Sequence, residues 1–83
     1  MDIIKEACVE GYQEAIQAKK LGADRIELCS SLNEDGLTPD RKTITSVFKA
    51  MNIPVKIMIR PRKGNFIYNQ KEISQMKSDI IFC

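Results

Sequence analysis

Strand-like and helix-like segments alternate three times along this chain of 83 residues, and that order restricts the fold more than any other feature. A strand is predicted over 3–8 (IIKEAC). A helix follows over 11–21, with Tyr12, Ala15 and Ile16 on one face, Lys19 and Lys20 in its last turn, and Gly22 just beyond. The second strand is predicted over 24–29 (DRIELC), followed by a loop whose turn signal is Asp35-Gly36. Thr38 is a candidate N-cap with Pro39 at the first helical position, and Ile44, Val47, Phe48 and Met51 then recur at helical spacing until Asn52. The third strand is predicted over 55–60. Asn69 and Glu72 form a capping box for a third helix, whose stripe is Ile73, Met76, Ile80 and Ile81. Three strand–helix units of about 25 to 30 residues imply parallel strands joined by right-handed crossovers, an α/β fold.

Composition narrows the function classes. Apolar residues make up 43% and charged residues 29%, values ordinary for a globular chain. A net charge of +2 gives no footprint for nucleic acid or an anionic membrane. No apolar run approaches the roughly 20 residues of a membrane helix. The start, MDIIKEACVEG, lacks the basic segment and long apolar core of a secretory signal. Three cysteines, an odd number, argue against a disulfide framework, so a reducing cytoplasm is the expected location. The chain has no histidine, which removes the commonest general base and metal ligand.

The final residues, SDIIFC, stop in mid-stripe without a helix-ending residue. Three parallel strands would leave open edges and uncovered apolar surface. The expectation is the front portion of a larger α/β chain, incomplete as given, whose partner is a complementing C-terminal fragment or a second copy in a homo-oligomer.

Strand parity sorts the side chains. Ile26 and Leu28 share one face, as do Val55, Ile57 and Ile59. Arg25, Glu27 and Cys29 share the other, with Lys56, Met58 and Arg60; in the first strand Glu6 and Cys8 fall together. The outcome is a cluster at the carboxyl ends of the strands: Glu6, Cys8, Glu27, Cys29 and Arg60, with Arg62 at the rim. A polar inner face suits a barrel lumen better than an open doubly wound sheet. Glu27 and Arg60 could simply neutralise each other, or the carboxylates and guanidiniums could bind a small anionic ligand. Cys8 and Cys29 on neighbouring strands, about 4.8 Å apart, could ligate Cu(I) with Met58 adding a thioether, or act as small buried hydrophobes. Cys83 reads as a packing residue of the third helix.

The motifs GADRIELC (22–29), GLTP (36–39) and IRPRKGNFIY (59–68), with KEAC (5–8) before them, resemble the CutC family of copper-homeostasis proteins. The resemblance runs through the whole chain in order. It implies a TIM-type (β/α)8 barrel of about 250 residues, of which residues 1–83 would be the first three βα units and the N-terminal part of a single domain. It further implies that Glu6, Cys8, Glu27, Cys29, Arg60 and Arg62 stand at the barrel mouth, that Cys8 and Cys29 hold copper, and that a later strand supplies a histidine and an arginine to the same lumen. Two functions follow as expectations. One is cytoplasmic copper homeostasis by direct Cu(I) binding. The other is an enzyme on a small anionic substrate, with Glu6 or Glu27 as base and Arg60 and Arg62 as anion clamps; a non-functional fragment is the third option. Lys63 stands where the family reads glycine after RPR, and Asp35 where a glycine is common before GLTP.

Overall fold

The structure, a computed structural model, describes residues 3–83. Met1 and Asp2 of the expected domain lie outside the described residues. The three expected strand–helix units are present in order: β1 (Glu6–Val9), α1 (Tyr12–Lys20), β2 (Arg25–Leu28), α2 (Arg41–Ala50), β3 (Val55–Ile57) and α3 (Gln70–Phe82). A single 3-10 turn, Leu32–Glu34, interrupts the β2–α2 loop. The strands pair in parallel in the order β1-β2-β3, with Glu6 opposite Arg25, Cys8 opposite Glu27, and Glu27 opposite Lys56. Strands that are consecutive in sequence are neighbours in the sheet, the arrangement of successive βα units in a barrel wall.

Local signals explain where the elements stop. Helix α1 closes with Gly22 in the left-handed region at φ +101°, while the Gly22 N–H donates to Lys19 O and the Ala23 N–H to Ala18 O. Glycine takes that conformation without the penalty a Cβ would bring. At α3 both halves of the capping box form: Asn69 Oδ1 accepts from the Glu72 N–H at 2.8 Å, and Glu72 Oε1 accepts from the Asn69 N–H at 3.0 Å. Asn69→Ala is expected to cost about 1 kcal/mol, measured as a shift in the urea midpoint, with helix loss confined to α3.

Helix α2 starts two residues later than predicted. Its N-cap is Asp40, whose Oδ1 accepts from the Thr43 N–H at 2.8 Å. Thr38 is occupied elsewhere, its hydroxyl accepting from the Arg60 N–H at 2.7 Å. The Thr43 bonds also hold the Asp40 carboxyl below the usual carboxylate range. A lowered folded-state value means stability that is present above the ordinary carboxylate pKa and is lost as pH falls through the folded one.

The core is Val9, Ala15, Ile26, Leu28, Ile44 and Val47, with Ala7, Ala18, Met51, Val55 and Ile57 packed around it. Helices α1 and α2 therefore cover the face of the sheet assigned to the apolar set by parity. The opposite face carries the charged and sulfur-bearing side chains. The expected α3 stripe is only partly realised: Ile80 and Ile81 are 58% and 84% exposed, and the buried residue is Asp79. Asp79 accepts from Gln75 Nε2 at 2.9 Å and lies 3.6 Å from Arg41 Nη2. Among the described residues no helix is long and apolar enough to cross a membrane.

Candidate functional site

On the uncovered face, the register lines up one carboxylate with two cations. Glu6 Oε1 lies 2.7 Å from Arg25 Nε and 3.2 Å from Lys56 Nζ, so each of the three strands contributes one charge. The Lys56 ammonium first, then the Arg25 guanidinium, keep the Glu6 carboxyl below the usual range. A carboxylate held ionised between two cations is a weak proton acceptor. Glu27, next along, has a different neighbour: the Cys8 thiol points at its Oε1 from 3.9 Å.

The expected neutralisation of Glu27 by Arg60 is not what the structure shows; no ion pair among the described residues joins them. The chain leaves the β2–β3 ladder after the Met58 N–H donates to Leu28 O, and Arg60 pairs instead with the β2–α2 loop through Thr38. From there its guanidinium donates through Nη1 to Glu34 O at 2.7 Å and Gly36 O at 3.2 Å, and through Nη2 to Gly64 O at 3.2 Å. Phe66 lies over it, 5.3 Å from guanidinium carbon to ring centroid. Arg60 is 8% exposed.

Arg62 serves the β3–α3 loop in the same way. It donates to the Glu72 carboxylate, to Asn65 O at 3.0 Å and to Ile67 O at 2.7 Å, and lies 5.1 Å from the Tyr68 ring centroid. The Asn69 N–H and then Arg62 hold the Glu72 carboxyl below its usual range. Both candidate anion-binding arginines thus commit most of their donors to the chain's own loops. The Lys63 ammonium lies 3.7 Å from Glu34 Oε1, in the loop that follows β2. Asp35 adopts φ +65°, a conformation that aspartate tolerates.

The sulfurs do converge. Cys8 Sγ and Cys29 Sγ are 3.7 Å apart, both free thiols, Cys8 exposed and Cys29 fully buried. Burial, then the Cys8 thiol and the Glu27 and Glu10 carboxylates, push the Cys29 thiol up to about 12. Gly36, at φ +87°, packs over the buried Cys29: a Cβ there would stand 3.6 Å from Cys29 Cβ, 3.6 Å from Met58 Cε and 3.7 Å from Cys29 Sγ. The sequence marks Gly36 as a turn residue; its contact with the buried thiol depends on the Arg60 clasp and has no local signal. Among the described residues no three His, Cys, Asp or Glu side chains gather as a metal-holding group. Cys83, expected as packing, is exposed.

Three parallel βα units whose strands lie in sequence order match the first βα units of a TIM-type barrel. The chain belongs to the CutC family, whose sequence pattern matches residues 3–83. It is 48% identical to the human copper homeostasis protein cutC homolog over 77 residues, 93% of this chain and 28% of the human protein. With CutC of Erwinia tasmaniensis it shares 47% identity over 93% of this chain and 31% of that protein. The crystal structure of CutC from Streptococcus agalactiae superposes with a TM-score of 0.90 at 36% identity, covering 98% of this chain and 40% of that one. The chain therefore spans about 30% of the length of the curated relatives it matches.

Proposed function

We propose that the chain serves copper homeostasis by binding Cu(I) directly, through Cys8 and Cys29, in the reducing cytoplasm. The observation that carries this reading is the 3.7 Å approach of the two free thiols at the strand ends. Cu(I) prefers soft sulfur donors over oxygen and nitrogen. Two thiolates about 2.3 Å from one metal stand about 3.8 to 4.6 Å apart for bond angles from tetrahedral to linear, so the observed 3.7 Å sits at the tetrahedral end and a small adjustment admits a shared ion. Exposed Cys8 offers the entry, and buried Cys29 the desolvated second donor. Binding must displace the proton that burial holds on Cys29, so affinity is expected to rise with pH.

The enzyme reading draws less support from the geometry. Glu6 is held ionised by two cations, and Arg60 gives its donors to three backbone carbonyls. The deciding experiment is an anaerobic competition titration with a chromophoric Cu(I) chelator. One equivalent of Cu(I) is expected to bind the native chain and the Cys83→Ser control, and to be lost in the double variant Cys8→Ser, Cys29→Ser. Unchanged binding in the double variant would end the proposal.

A further inference from the structure

The Cys8 and Cys29 sulfurs are in van der Waals contact at 3.7 Å. A disulfide joins sulfurs about 2.05 Å apart, so an approach of about 1.7 Å separates the two thiols from a bond. The two residues differ in how far they can move. Cys29 is held: its N–H donates to Val9 O at 3.0 Å, its thiol donates to the same carbonyl at 3.6 Å, and Gly36 packs on its side chain. Cys8 is exposed, and its strand β1 is four residues long and pairs with β2 alone. Its thiol also points at Glu27 Oε1 from 3.9 Å, and a thiol is a weak donor that releases such a contact readily. Closure therefore falls to Cys8 and the edge strand that carries it.

The register determines what kind of bond results. Cys8 stands opposite Glu27, and Cys29, just past the end of β2, meets it diagonally. The side chains already lean across that diagonal, yet the bond closes only if β1 shifts towards Cys29. A disulfide that distorts its backbone stores strain and is more easily reduced. Strained or exposed disulfides are the labile and regulatory ones.

We infer that Cys8 and Cys29 form a reversible disulfide, made by a small peroxide and reopened by a low-molecular-weight thiol. The peroxide reaches exposed Cys8 first. The Cys8 sulfur attacks one peroxide oxygen, the O–O bond breaks, and the departing hydroxide takes the Cys8 proton as water, leaving a sulfenic acid. The Cys29 sulfur then attacks the sulfenic sulfur. The S–O bond breaks, and the second hydroxide takes the Cys29 proton as water. One peroxide is thereby reduced by two electrons, one from each cysteine. Contact between the sulfurs makes the second step intramolecular, which offsets the poor reactivity of a buried thiol. Two molecules of the small thiol reverse the bond by exchange and leave as their own disulfide. The bond itself needs no metal. Its consequence rests on the Cu(I) reading above: with the two sulfurs tied to each other, neither remains a thiolate, and the site is closed to copper.

The test is mass spectrometry with non-reducing peptide mapping on the metal-free Cys83→Ser chain, treated with one equivalent of hydrogen peroxide. The expected product is lighter by two hydrogens, carries Cys8 and Cys29 in one linked peptide pair, and recovers both thiols in reduced glutathione. In the double variant Cys29→Ser, Cys83→Ser the same dose should leave oxygen on Cys8 instead. Chelator competition should find one equivalent of Cu(I) on the reduced chain and none on the oxidised one. Sulfinic Cys8 beside a free Cys29 thiol, a bond found only between two chains, or a bond that glutathione does not reopen would overturn the inference, whatever the copper result. A reversible Cys8–Cys29 bond in a chain that binds no Cu(I) when reduced would uphold the disulfide and end the copper reading.

Discussion

Replacing Arg60 with alanine is expected to cost on the order of 3 kcal/mol of folding stability, read as a lowered urea midpoint. The guanidinium ties segments that no strand or helix joins. Glu34 and Gly36 belong to the β2–α2 loop, Gly64 to the β3–α3 loop, and all three carbonyls accept from this one side chain. Hydrogen bonds from a charged donor are worth about 1.5 to 3 kcal/mol each. The Glu34 and Gly64 carbonyls are accessible enough to regain water, which keeps the loss below the sum, whereas buried Gly36 is left without its partner. Packing of Phe66 on the guanidinium is lost as well. Against the roughly 4 to 12 kcal/mol expected of a chain this size, the change removes a quarter or more of the stability. Lysine is not an adequate substitute, because its single ammonium cannot present a planar fork to three acceptors; Arg60→Lys should recover less than half the loss. An unaltered midpoint in Arg60→Ala would show that the loops hold without the clasp.

This arginine also marks where sequence reasoning stops. The βα order, the Gly22 helix end and the Asn69–Glu72 box are legible because each depends on residues a few positions apart. Parity likewise separates Ile26 and Leu28 from Glu27, since alternation is a property of the strand itself. Arg60 lies beyond the strand, and its partners, Glu34 and Gly36, sit 26 and 24 residues earlier in the chain. No periodicity reports such a contact. Sequence alone misplaces the start of α2 for the same reason. Thr38 and Asp40 are both good cap residues, and the choice between them is made by the Arg60 N–H claiming the Thr38 hydroxyl. In α3 the periodicity identifies an apolar stripe but not what covers it, so Ile80 and Ile81 are exposed while Asp79 turns inward to Gln75 and Arg41. The sulfur pair is the most legible feature of the site, because one parity argument places both cysteines.

Alkylation at about pH 8 is expected to modify Cys8 rapidly and to leave Cys29 untouched until the chain unfolds. Cys29 has no exposed surface, and its thiol is raised from the ordinary 9.0 to about 12. The thiolate is the reacting form, so this shift alone removes about a thousandfold of its reactivity. The same shift sets a pH dependence of stability. A thiol that holds its proton more tightly when folded contributes stability that is complete below the unfolded value of 9.0 and is lost as pH rises towards about 12. Alkaline unfolding should therefore set in above about pH 9 and should be relieved in Cys29→Ala, which has no proton to lose. In strong urea both thiols should react alike. Loading with Cu(I) should protect Cys8 as well, because a bound thiolate cannot attack. Arg60→Ala, by releasing Gly36 from above the buried thiol, should speed labelling of Cys29 under conditions where the chain is still folded. Equal rates for Cys8 and Cys29 in the native chain would mean that Gly36 does not seal the site, and the desolvated second donor assigned to Cys29 would be lost with it.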